Sequence, residues 1–157
     1  MRIRTLSIGK TNIDFINVGL TEYNKRISRY IKYEWEELPD VKNAARLPKS
    51  ELKKEEGKLI LKRITPGERI ILLDEGGKKH TSKSFAKWLE DGVNIQAKDL
   101  CFVIGGAYGF SDEVYLKAET KISISAMTFN HQIIRLIFTE QLYRAFTIIR
   151  GEPYHHE

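Results

Sequence analysis

Residues 100–109 read Leu100-Cys101-Phe102-Val103-Ile104-Gly105-Gly106-Ala107-Tyr108-Gly109, and residues 121–131 read Lys121-Ile122-Ser123-Ile124-Ser125-Ala126-Met127-Thr128-Phe129-Asn130-His131. The first opens as an unbroken apolar run, Leu100 to Ile104, and stops in a glycine-rich turn. A short apolar run bounded by glycine is the pattern of a strand buried on both faces. The second is a strand over Ile122 to Ser125 that runs into a polar junction. Beyond it, apolar residues recur as far as Arg150, which predicts a helix from about 130 to 150. Gly151 then stands where a helix commonly ends in a left-handed residue. Ser111-Asp112-Glu113 starts a short helix between the two strands, its charges suited to a helix N-terminus. Strands alternating with helices predict an α/β fold: a parallel sheet with helices on both faces. In such a sheet ligands bind at loops leaving the C-terminal ends of strands.

The rest of the chain repeats the alternation. Ile3, Leu6 and Ile8 form a strand that stops at Gly9. Asp14 is a candidate cap for the next helix, whose apolar face is Ile16, Leu20, Tyr23 and Ile27. Tyr33 and Trp35 alternate with Glu34 and Glu36 in a second strand, closed by Leu38-Pro39-Asp40. Asp40 to Pro48 is polar and reads as a mobile loop, with a helix starting near Ser50. Arg69 to Asp74 is a third strand, broken by Glu75-Gly76-Gly77-Lys78. Ser82 or Ser84 opens a helix carrying Phe85, Trp88 and Leu89, with Asp91-Gly92 as its end.

The 157 residues suit one domain, 1–157. A formal charge of +5 permits an anionic partner such as nucleic acid without demanding one. The single cysteine, Cys101, excludes an internal disulfide and reads as a buried small hydrophobe. Neither a signal-peptide core nor an apolar run of spanning length is present, so a soluble cytoplasmic protein is expected. His155-His156 lack the acidic or cysteine partners of a metal site, and no metal is expected.

The glycine turn lacks the second Gly of a dinucleotide fingerprint, because Ala107 stands there, and no phosphate-loop Gly-Lys-Ser/Thr follows. What it offers is close backbone approach: a side chain at Gly105 or Gly106 is expected to intrude on a ligand or force strain. Ser123, Ser125, Thr128, Asn130 and His131 crowd the second junction, where Thr128 or Asn130 suits a helix cap and the same N–H groups suit a ligand. The last helix is apolar over most of its circumference and needs a second cover, which a homodimer supplies. Glu140 and Arg144 are spaced to pair with each other.

In combination these residues resemble a known family. Ile104-Gly105-Gly106 with Gly109, the Ser-x-Ser-x-Met-Thr-Phe-x-His run at 123–131, Glu140 to Ala145 and the terminal Pro153-Tyr154-His155 are similar to the RlmH (YbeA-like) family of SPOUT-class rRNA methyltransferases. Ser7-Ile8-Gly9-Lys10 and Thr21-Glu22-Tyr23 carry the resemblance to the N-terminus. Asn130 stands where the family often has Pro, and His156 where it has a basic residue. The resemblance implies a C-terminal trefoil knot, a homodimer, and methyl transfer from S-adenosylmethionine to N3 of a pseudouridine in large-subunit 23S rRNA on the ribosome. It places cofactor contacts on Leu73, Gly105, Gly106, Ile124, Ser125, Ala126, Met127, Thr128 and Phe129. For that reaction, side-chain chemistry points to His155 and Tyr154 as the residues that handle the base and its proton, and to Arg144 and Arg135 as those that bind phosphate or the base carbonyls. The base that takes the N3 proton is left among His131, His155 and His156. The competing expectation is a ribosome-binding module without catalysis, which has no need of S-adenosylmethionine.

Overall fold

The computed structural model describes residues 1–156; Glu157, the last residue of the tail, lies outside the described residues. Five strands form one sheet: β1 (Arg2–Ile8), β2 (Lys32–Leu38), β3 (Arg69–Lys79), β4 (Leu100–Ile104) and β5 (Thr120–Ser123). Every pairing is parallel, in the order β2-β1-β4-β3-β5. Four helices connect them, α1 (Asp14–Ile27), α2 (Lys49–Arg63), α3 (Ser82–Gln96) and α4 (Asp112–Lys117), and α5 (Ile133–Ile149) follows β5.

Helices cover both faces, as the alternation predicts. Side chains along β4 point alternately to two cores. Leu100, Phe102 and Ile104 meet Ile27 of α1, Leu89 of α3 and Phe138 of α5. Cys101 and Val103 meet Ile60 of α2 and Val114 of α4 on the other side. Burial pushes the Cys101 thiol up to about 12, so it stays protonated at neutral pH.

Local expectations failed where tertiary contact outweighed punctuation. Glu75-Gly76-Gly77 does not end β3. The strand bulges, shifts register between Leu73 and Lys78, and pairs again with β5. Gly77 makes this possible, since a Cβ there would lie 2.6 Å from the Ile122 backbone. Asp91-Gly92 does not end α3, because Gly92 lies beneath Arg69, whose guanidinium donates to its carbonyl at 3.3 Å. Asp14 is not a side-chain cap; it occupies the first turn of α1 after Ile13. The 40–48 segment contains a 3-10 turn at Ala44–Arg46, entered through Asn43 with φ 57°. β5 closes at Ser123, before Ser125, because the Ser123 hydroxyl donates to the Ser125 carbonyl and the Ser125 hydroxyl accepts from the Met127 N–H. α5 begins at Ile133, later than the pattern suggested, and Asn130 accepts from the Gln132 N–H just ahead of it. Its end matches expectation. Gly151 has φ +67°, with Gly151 donating to Ile148 and Glu152 to Thr147.

Candidate active site

The C-terminal ends of β3, β4 and β5 open into a cleft of about 700 Å³, a volume suited to a small organic ligand. Leu73, Gly105, Gly106, Ile124, Ser125, Met127, Thr128 and Phe129 line it; Ala126, expected with them, does not. Asp74, Glu75, Tyr108, Tyr115, Asn130 and His131 also line it, and sequence reasoning put none of these in the cofactor set. Asp74 follows the last strand residue expected at the cleft, so strand-end position alone was the signal for it.

The chain reaches the cleft from three directions. β3 delivers Leu73 and Asp74 at the bulge. Asp74 accepts from the Gly76 N–H at 2.8 Å and from the Tyr115 hydroxyl in a short hydrogen bond. Burial, with Asp74 as its neighbour, pushes the Tyr115 hydroxyl up to about 12. β4 delivers the glycine turn, which closes on itself through a Gly106–Gly109 bridge. Only Gly109 of this turn needs a positive φ, at +83°.

Of the two expectations for a side chain at Gly105 or Gly106, strain is the one the packing bears out. A Cβ on Gly105 would lie 2.9 Å from the Phe110 ring, and one on Gly106 would lie 2.5 Å from the Glu56 carboxylate. These glycines are glycine because protein fills the space behind them. Their backbone therefore forms the cleft wall directly.

From β5, at the sheet edge, residues 124–131 cross the ends of β3 and β4 and anchor on β1. Gln132 accepts from the Asn12 N–H at 3.0 Å and donates to the Lys10 carbonyl at 3.1 Å. Arg135 completes the anchor. It is 1% exposed and donates to the carbonyls of Ile8, Gly9 and His131 and to the Thr11 hydroxyl. Desolvation holds its pKa below the usual arginine value. Its guanidinium is spent inside the scaffold, away from the tail with which sequence reasoning grouped it.

The other three expected catalytic residues do assemble. Glu140 on α5 accepts from Arg144 at 2.5 Å and from the Tyr154 hydroxyl at 3.0 Å. The Tyr154 ring packs edge-on against Tyr143 and lies beneath the Arg144 guanidinium. Its hydroxyl also meets that of Tyr23 on α1 at 3.3 Å. Burial, with Tyr23 and Glu140 as neighbours, raises the Tyr154 pKa. Arg144 reaches Nδ1 of His155 at 3.2 Å. A guanidinium only donates, so Nδ1 accepts in this contact. Tyr30 fastens the tail by donating to Glu152 at 2.6 Å. The tail is thus packed on α1 and α5, not held only by the chain beyond Gly151.

Tail and cleft are separated within one chain. Ile134 lines the cleft, and Arg144 stands ten residues further along the same helix, about 15 Å at the helical rise. Among the described residues, no group of His, Cys, Asp and Glu is arranged to hold a metal ion, and no helix is long and apolar enough to cross a membrane.

Comparison with known proteins agrees in extent with this geometry. Residues 1–155 match the model of a family described as "Predicted SPOUT methyltransferase". A protein of Parabacteroides distasonis named ribosomal RNA large subunit methyltransferase H is 50% identical over 157 residues, the whole of both chains. Proteins of the same name from Flavobacterium johnsoniae and Flavobacterium psychrophilum are 48% and 50% identical, the first over the whole of both chains and the second likewise. The matched span takes in the cleft, the crossing segment and the tail as far as His155, so the chain belongs to the SPOUT methyltransferase family.

Proposed function

We propose that this protein methylates N3 of a pseudouridine in large-subunit 23S rRNA on the ribosome, with S-adenosylmethionine as donor. The observation that carries this reading is the charge of the cleft. Asp74 and Glu75 line it, and among the described residues no Lys or Arg does, while Lys49 and Lys121 stand over the rings of Tyr108 and Tyr115, which line it. The two lining carboxylates favour a ligand with a cationic centre, which suits a sulfonium. When bound, the cofactor supplies an electrophilic methyl group. Gly105, Gly106, Ile124, Ser125, Met127, Thr128 and Phe129 would hold it, and alignment would supply much of the rate.

Methylation at N3 also requires loss of the N3 proton. His155 offers the Nδ1 lone pair that accepts from Arg144 in the resting structure. With substrate present, Nδ1 takes the N3 proton while Arg144 turns toward the base carbonyls. Tyr154, fixed by Glu140, presents an aromatic face for the base. Arg135 holds the crossing segment and takes no part in the chemistry.

That separation along α5 is closed in a homodimer, where one protomer's tail completes the other's cleft. The exposed apolar residues Phe15 and Val18 on α1, 64% and 71% accessible, lie on the helix that packs against α5 and support a second copy there. Light scattering should give a dimer mass at micromolar concentration, and Val18→Asp should shift it to monomer. The crossing of 124–131 over the ends of β3 and β4 supports a knotted C-terminus.

Mass spectrometry of 23S rRNA from cells with and without the gene tests the activity directly. Loss of one methylpseudouridine in the deletion supports it, and an unchanged modification profile rejects it. Calorimetry with S-adenosylmethionine separates an enzyme from a ribosome-binding module, which has no use for the cofactor.

A further inference from the structure

Glu56 is a carboxylate in an apolar setting. It lies on α2 between Leu52 and Ile60, on the face that packs against the sheet, and is only 8% exposed. Burying a carboxylate is costly, and an apolar side chain is the default at such a position. Among the described residues, no lysine or arginine pairs with it. Burial raises its pKa, the Gly106 backbone N–H lowers it, and Asp40 raises it further. Its two oxygens occupy the space of a Gly106 side chain, 2.5 and 2.6 Å from where a Cβ would stand. Phe110 fills the matching space behind Gly105. The glycine turn is therefore held between the cleft and two side chains, of which only Glu56 can accept a hydrogen bond from the backbone.

We propose that Glu56 is a positioning residue: from behind the turn it fixes the Gly105–Gly106 backbone in the conformation that receives the cofactor. This rests on the assignment of S-adenosylmethionine to the cleft. The carboxylate touches no ligand. It acts by accepting from Gly106 and by occupying the space into which the turn would otherwise collapse.

The test is calorimetry of S-adenosylmethionine with the full chain, alongside thermal unfolding. Glu56→Leu fills the space and removes the acceptor, so affinity should fall about tenfold or more with the melting temperature kept. Glu56→Gln keeps an acceptor oxygen and should bind within about threefold of wild type. A Leu variant that binds like wild type, or a Gln variant no better than Leu, overturns the proposal. Gly106→Ala is read in parallel and needs no change on α2. It should lose affinity, and Glu56→Asp in the same chain, shorter by one methylene, should restore part of it. Wild-type affinity in Gly106→Ala, or no recovery with Asp, also overturns the proposal. If wild type itself does not bind S-adenosylmethionine, the cofactor assignment fails. Amide exchange at Gly106 then decides the Glu56 contact alone: protection in wild type and loss in Glu56→Leu support it, and equal exchange rejects it.

Discussion

The cleft and the tail are built from different materials. The cleft is built on the glycine turn at Gly105 and Gly106, braced from behind by Phe110 and Glu56, and on the turns that carry Ile124, Ser125, Met127, Thr128 and Phe129. The tail site is made of side chains. Tyr154, Arg144 and His155 are placed by Glu140, Tyr23 and Tyr143, contributed by two helices and a terminal segment. A backbone site resists most substitutions except at its glycines. A side-chain site loses function one hydrogen bond at a time. The contrast fits a division of labour in which the cleft holds the donor and the tail handles the acceptor.

The sharpest way to break that division is to remove the tail. A chain ending at Glu152 should keep its affinity for S-adenosylmethionine within about threefold and lose on the order of a thousandfold in ribosome methylation, since positioning and proton transfer go together. A single-turnover assay measures this, and a wild-type rate would return the chemistry to the cleft, with His131 the next candidate. Some melting temperature should also be lost, because Tyr154 packs against Tyr143 and its hydroxyl meets Tyr23 and Glu140.

Arg135 tests which side of the division it belongs to. Arg135→Met leaves the carbonyls of Ile8 and Gly9 without their donor and should cost about 3 kcal/mol, seen as a lower urea midpoint. The methylation rate per folded molecule should change little. A wild-type midpoint with a collapsed rate would move Arg135 into the chemistry.

Glu140→Gln sharpens the tail half. It keeps the shape but weakens the charged bond to Arg144, so methylation should fall about tenfold while cofactor affinity holds. Equal losses in both would show that tail and cleft are not separable.

The smallest effect concerns stability against pH. Burial raises the Glu56 pKa, so folding favours the protonated carboxyl. Its favourable contribution is complete in acid, below the ordinary carboxylate value of about 4.3, and is lost as pH rises through the raised value. Glu56→Gln should therefore melt higher than wild type at neutral pH, with the gap closing on acidification. A gap independent of pH would show that the carboxyl is not perturbed. Greater stability with no gain in cofactor affinity is the expected cost of a residue kept for positioning.

How much was legible follows from where each feature is encoded. The strand β4, the glycine turn after it and the end of α5 at Gly151 are local patterns, set by apolar runs and backbone permissiveness within a few residues. Cleft residues were legible because strand ends are ligand sites in any open parallel sheet, and the resemblance at 123–131 pointed to the same loop. The β3 bulge at Gly77 and the continuation of α3 through Gly92 were not legible, since Ile122 and Arg69 decide them from far along the chain.

By itself the sequence determined the parallel α/β order, the two loops that form the cleft and the polar tail, because spacing and residue type act locally. Only the tertiary structure decided that Arg135 is buried in the anchor of the crossing segment, that Glu56 stands behind Gly106, and that the tail packs on α1 and α5 while the cleft opens at the strand ends. Each of those depends on which distant groups share a small volume. A buried guanidinium takes the carbonyls within reach, and a glycine is required by whatever occupies the space its side chain would fill, so neither role is written in the neighbouring residues.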